Sequence, residues 1–173
     1  MKTTIICIYF FFAIIILISC VETPDDNAQK MKLEDIRNSP SYFGFNNIYN
    51  DYIPIDTIIH DIKKNFDISK HKILIFTSPS CYTCNRIDSL FPYFAKVLVS
   101  SEIPETNFEI YSMPSTKAEH PYKSTISISF LPTFVVMKEN HPYYSITDTL
   151  RYLKENYPDI KYSLEYLLVE SLK

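Results

Sequence analysis

The stretch Ile73-Leu-Ile-Phe-Thr-Ser-Pro-Ser-Cys-Tyr-Thr-Cys-Asn-Arg-Ile-Asp-Ser-Leu90 decides the fold. Its first part, with Lys72 just before it, gives a short apolar run rich in β-formers from Lys72 to Thr77, as a central buried strand requires. Pro79 and Ser80 then interrupt the run. Cys81 and Cys84 follow where a helix is expected to begin, and Ile87, Leu90, Phe91 and Phe94 continue at helical spacing. Pro92 is expected to kink that helix. About fifty residues on, Phe130-Leu-Pro-Thr-Phe-Val-Val-Met-Lys138 leads through Pro132 into a second apolar strand, Thr133 to Lys138.

The other segments extend the pattern. Asp56 is a good helix N-cap, and Ile58, Ile59, Ile62 and Phe66 repeat at helical spacing. Asn107 to Met113 is a further strand, and Thr116 to Ser124 fits a short helix or a loop equally. Tyr143 to Ile146 is a fourth strand, joined through Glu139-Asn-His-Pro142. Thr147 or Asp148 caps a helix running to about Tyr157, and Tyr162 to Leu172 is the last helix. Residues 31–50, aromatic and Asn-rich, read as a loop that can include an edge strand. This order is α/β with a mixed sheet. Strands separated by a helix tend to be parallel, and the close pair at the end antiparallel.

The beginning of the chain is of another kind. Met1-Lys2 is a short positive start, and Ile5 to Ile18 is almost continuously apolar. That length suits a secretory signal and is short for a membrane span. It closes on Leu17-Ile-Ser-Cys20, which resembles the bacterial lipoprotein signal, whose cysteine is acylated and becomes the mature N-terminus. The resemblance implies a signal peptide over residues 1–19, a lipidated Cys20 with a flexible tether over 20–32, and a folded domain over 33–173. Val21 to about Lys30 is polar and acidic, as a tether would be. Cys7 leaves with the signal, so Cys81 and Cys84 are the free thiols of the mature protein. A close thiol pair in an exported protein lies where disulfides persist.

The whole chain has 173 residues, formal charge −3, one glycine and eleven prolines. Loss of residues 1–19 removes Lys2 and makes the charge −4. This mild acidity argues against nucleic acid as a partner. With one glycine, turns must be built from Asn, Asp, Ser and Pro.

The two motifs and the element order resemble the thioredoxin superfamily, over roughly Ile55 to Lys173 and most strongly in 72–94 and 126–138. The resemblance implies a thioredoxin-like fold: a central mixed sheet flanked by helices, a C-x-x-C at a helix N-terminus and a cis-proline, Pro132, facing it. It also implies that Cys81 is the nucleophile and Cys84 the resolving thiol, forming a Cys81–Cys84 disulfide. The implied Leu131 backbone pairs with an extended substrate, and Tyr82 and Thr83 tune the thiolate. Helix N-terminal N–H groups and the helix dipole would stabilise a Cys81 thiolate. Three departures stand out. Ser80 takes the place of the family's Trp, Tyr82-Thr83 replaces Gly-Pro, and Ile75 replaces a buried Asp.

These features imply an extracytoplasmic, lipid-anchored thiol:disulfide oxidoreductase on the periplasm-facing side of a membrane. Its partners would be proteins with thiols or disulfides and a membrane redox donor or acceptor, and analogy with tethered relatives favours reduction. No organic cofactor and no resident metal are implied. A copper- or zinc-handling protein and a non-catalytic binding or assembly lipoprotein are the competing readings. Metal would need ligands beyond the two cysteines, and His60, His71, His120 and His141 have no tight spacing to them. These histidines are expected at the surface. Arg86 is expected on a solvated helix face, and Tyr152, Tyr157, Tyr162 and Tyr166 in packing.

Overall fold

The computed structural model describes residues 26–79 and 90–173. Five strands form one sheet: β1 (Gln29–Met31), β2 (His71–Thr77), β3 (Phe108–Ser112), β4 (Thr133–Lys138) and β5 (His141–Ser145), in the order β1-β3-β2-β4-β5. β2 runs parallel to β3 and antiparallel to β4, so the sheet is mixed. β1 closes one edge against β3 and β5 closes the other against β4, both antiparallel. The helices are α1 (Leu33–Asn38), α2 (Phe45–Asp51), α3 (Asp56–Asn65), α4 (Leu90–Ser100), α5 (Ile146–Asn156) and α6 (Leu164–Ser171). At a coarse level, this helix-flanked mixed sheet is consistent with a thioredoxin-like fold.

The continuous apolar run of β2 is explained by its central position. Ile73 and Ile75 enter one core cluster while Leu74 and Phe76 enter another, so strand alternation supplies both faces. Phe134 and Val136 of β4 join the first cluster; Val135 and Met137 join the second. The first cluster is sealed by helices, including Ile62 of α3, Phe94 and Leu98 of α4, Ile146 of α5 and Leu168 of α6. Phe94 stacks on Phe134 with ring centroids 4.3 Å apart. Each such large buried side chain contributes about 1.5–3 kcal/mol. The second cluster is covered by residues 113–131, through Met113, Ala118, Ile126, Ile128 and the half-buried Leu131.

Several expectations are revised. Residues 31–50 carry two short helices and a single 3-10 turn at Pro40–Tyr42 rather than a loop. Leu33 and Ile36 of α1, and Phe45 and Tyr49 of α2, bury the i, i+3 and i, i+4 positions that anchor them. The edge strand lies earlier, at Gln29–Met31, inside the stretch read as tether. There it pairs with β3 and Lys30 bonds Glu109 at 2.8 Å. Of the two readings of Thr116 to Ser124, the loop is the one observed: Pro121 interrupts the run, and successive turns close through His120, Tyr122 and Lys123. The last strand starts at His141, two residues before its expected position.

Turn chemistry also differs from expectation. Glu102, Glu139 and Asn140 take positive φ at 57°, 53° and 65°. Glu102 ends α4, where the Ile103 N–H reaches back to the Leu98 carbonyl at 3.1 Å. Glu139 and Asn140 form the tight hairpin between β4 and β5. Ser145, not Thr147 or Asp148, caps α5: its Oγ accepts from the Asp148 N–H at 3.3 Å and donates to Asp148 Oδ2 at 2.6 Å. Thr147 turns inward instead, and its Oγ1 accepts the Phe134 N–H at 3.0 Å.

Candidate functional site

Cys20, Cys81, Tyr82, Thr83, Cys84 and Arg86 lie outside the described residues. The described part of the candidate site is the end of the sheet from which the chain departs toward Cys81. β2 and β4 pair with Phe76 opposite Thr133. Thr77 directly follows Phe76, and Pro132 directly precedes Thr133. Thr77 is four residues ahead of Cys81 in the chain. The sheet therefore brings the approach to the C-x-x-C and the Leu131-Pro132 segment to one end of the molecule.

Proline has no N–H to give to a ladder and suits the first position of a strand. Pro132 is buried, Leu131 is half-buried, and the peptide bond between them is cis. The Thr133 hydroxyl donates to the Phe130 carbonyl at 2.7 Å and tightens the entry into β4. The Arg151 guanidinium lies 4.4 Å over the Phe130 ring, which ties the segment to α5.

On the β2 side the backbone is held as firmly. The Met113 N–H donates to the Thr77 carbonyl at 2.7 Å. The Tyr42 hydroxyl donates to Ser112 Oγ at 3.0 Å. Burial raises the Tyr42 pKa against the opposing pull of hydrogen bonds to Ser112 and Thr77. Ile75, at the position where the resemblance leads one to look for a carboxylate, is fully buried among apolar neighbours.

A buried carboxylate occurs elsewhere, and the sequence reading missed it. Glu165 of α6 is only 2% exposed, and Tyr52 donates its hydroxyl hydrogen to it. Tyr52 packs in turn against Tyr93 of α4, with centroids 4.5 Å apart. Burial first, and then the Glu165 carboxylate, raise the Tyr52 pKa. The signal was present: Glu165 shares one helical face with Leu168, Val169 and Leu172, all buried.

The histidines divide. His60 and His141 are exposed as expected, whereas His71 and His120 are buried. His71 packs against Phe66, and its Nδ1 accepts the Asp67 N–H at 3.0 Å, while Nε2 is buried without a partner. His120 packs against Phe76 at 4.8 Å, with a buried and unpartnered Nδ1. Burial, aided by Lys138 at His71 and by Lys123 at His120, lowers both pKa values. The tyrosines also depart from expectation: Tyr162 packs on the core, but Tyr152, Tyr157 and Tyr166 are about half exposed.

Among the described residues, no group of three or more His, Cys, Asp or Glu side chains is placed to hold a metal ion. Among the same residues, no helix is long and apolar enough to cross a membrane. No family model matches the chain, and neither a curated protein nor a solved structure does.

Proposed function

We propose that the protein is a lipid-anchored, extracytoplasmic thiol:disulfide oxidoreductase that reduces disulfides of partner proteins through Cys81 and Cys84. The observation that carries this reading is the strand register. Phe76, five residues before Cys81, pairs with Thr133, the residue after Pro132, although the two are far apart in sequence. The mixed sheet order and the C-x-x-C after its central strand support it further.

In the proposed cycle the Cys81 thiolate attacks one sulfur of a partner disulfide, and the other partner sulfur leaves as a thiolate. Cys84, once deprotonated, attacks the Cys81 sulfur of the mixed disulfide and expels the second partner thiolate. The partner gains two electrons, and Cys81–Cys84 becomes a disulfide. A dithiol donor at the membrane then returns the pair to its reduced form by the same exchange. Acylated Cys20 holds the domain near that donor.

The test is a glutathione redox series on the chain carrying Cys20→Ser, with alkylation and mass readout of each thiol. A reversible transition involving Cys81 and Cys84 together is expected, at a potential nearer the roughly −270 mV of a reductant than the roughly −120 mV of a strong oxidant. Independent alkylation of the two thiols across the series would sink the proposal and favour a non-catalytic protein. Protection of both by stoichiometric copper or zinc would favour metal handling.

A further inference from the structure

The segment 116–128 forms a half-open pocket of about 410 Å³, lined in part by Thr116, Lys117, His120, Ser127, Ile126 and Ile128. Lys123 also lines it, but its ammonium is engaged by the Glu119 carboxylate and by the Lys117 carbonyl. Lys117 is exposed, and its ammonium makes no ion pair with another described residue. His120 is 9% exposed, and its Nδ1 has no hydrogen-bond partner. A buried polar atom left without a partner is destabilising, and a ligand able to satisfy it would offset that cost. The polar groups lining the pocket are thus the Lys117 ammonium, the Lys123 ammonium already paired with Glu119, two hydroxyls and an imidazole, with an apolar wall from two isoleucines.

From this set we infer that the cavity binds a phosphate-type oxyanion. Hydroxyls and an imidazole N–H are donors that suit a tetrahedral anion with three or more oxygens, and lysine serves such anions as a point charge. The position of the cavity adds a second argument. The Ala28 N–H donates to the Glu119 carbonyl at 2.8 Å, and the Glu119 N–H donates to the Asp26 carbonyl at 3.0 Å. The first described residues are thus fastened one residue from His120, six residues after Cys20, so under the proposed lipid anchor a membrane surface is within reach of this point. A free phosphate and a phospholipid headgroup share the required chemistry. The inference does not depend on the thiol reading, because no residue of the C-x-x-C enters it.

The experiment follows the imidazole nitrogen signals of the full-length chain by NMR while inorganic phosphate is added at constant ionic strength. The His120 signal is expected to move and saturate, with half-saturation on the order of 1 mM, while that of His71 stays in place. Lys117→Ala, a surface change that leaves the core intact, is expected to weaken binding about five-fold, as loss of one partly exposed ion pair implies. Vesicles of phosphatidylglycerol that compete with phosphate for the His120 response identify a headgroup as the ligand; vesicles without effect leave a small soluble phosphate. A His120 signal that moves equally with added chloride, or a response unchanged in Lys117→Ala, overturns the inference.

Discussion

The hydroxyl of Tyr52, in the link between α2 and α3, donates to the carboxylate of Glu165 on α6, 113 residues later in the chain. With Glu165 almost wholly enclosed, this is the one hydrogen bond to its side chain among the described residues. Removing the donor leaves a carboxylate stranded in the core. Tyr52→Phe is expected to destabilise the fold by about 3 kcal/mol, measured by urea denaturation. Glu165→Gln, which still accepts from Tyr52, should cost clearly less. Equal losses in the two variants would show that packing, not the charge, sets the cost.

Glu109 gives the stability a defined acid limb. Burial pushes its pKa up, but Lys30, the hydroxyls of Tyr111 and Tyr122, and Lys72 together outweigh burial and hold it at about 2. The hydroxyls donate at 2.7 and 2.8 Å. A folded pKa below the unfolded value of about 4.3 means that the unfolded chain binds the proton first. The contribution is thus complete above pH of about 4.3 and is lost as pH falls through about 2. It should amount to about 2 kcal/mol once solvent screening is allowed for. Urea midpoints collected from neutral to acid pH should show this slope, and Glu109→Gln should flatten it.

The hairpin between β4 and β5 is built from residues that tolerate positive φ unequally. Asn140 is suited to that conformation, whereas Glu139, at φ 53°, is not. Glu139→Asn is expected to raise stability by about 0.5 kcal/mol, read as a higher thermal midpoint. The Glu139 N–H, which donates to the Lys70 carbonyl at 2.9 Å, is preserved in the variant. A lower midpoint would show that the Glu139 side chain contributes more than its backbone costs.

Under the proposed chemistry, Cys84→Ser should accumulate a mixed disulfide between Cys81 and partner proteins, visible as reducible adducts on gels. Cys81→Ser should abolish both the adducts and turnover. Adducts that persist in Cys81→Ser would reverse the assigned roles of nucleophile and resolving thiol.

The central architecture was legible because burial on both faces leaves a strong mark. β2 and β4 carry the apolar runs Ile73 to Phe76 and Phe134 to Met137, and α3 shows Ile58, Ile59 and Ile62 at helical spacing. α1 and α2 were not legible. They span six and seven residues, too short for a period to emerge, and Pro40, Gly44 and the asparagines Asn38, Asn46, Asn47 and Asn50 look like loop. β1 was hidden for a different reason: Gln29, Lys30 and Met31 show no apolar alternation, and partners supplied by β3 decide their conformation. The same holds at the cap of α5. Thr147 and Asp148 are both respectable caps, and only the need of the Phe134 N–H for an acceptor assigns Thr147 elsewhere and leaves Ser145 the role. At the candidate site, the sequence supplied the thiols and Pro132, while the pairing of Phe76 with Thr133 exists only in the register.

The stitching of Asp26 and Ala28 to Glu119, followed at once by the pairing of β1 with β3, also bears on mechanics. Any pull transmitted along the chain from before residue 26 enters the domain at these few hydrogen bonds. β1 is three residues long and lies at the edge of the sheet, with β3 between it and β2. Such an edge would act as a fuse. Tension would peel β1 away before it reached β2 and β4, and the end of the sheet that carries Thr77 and Pro132 would keep its shape while the point of attachment yielded.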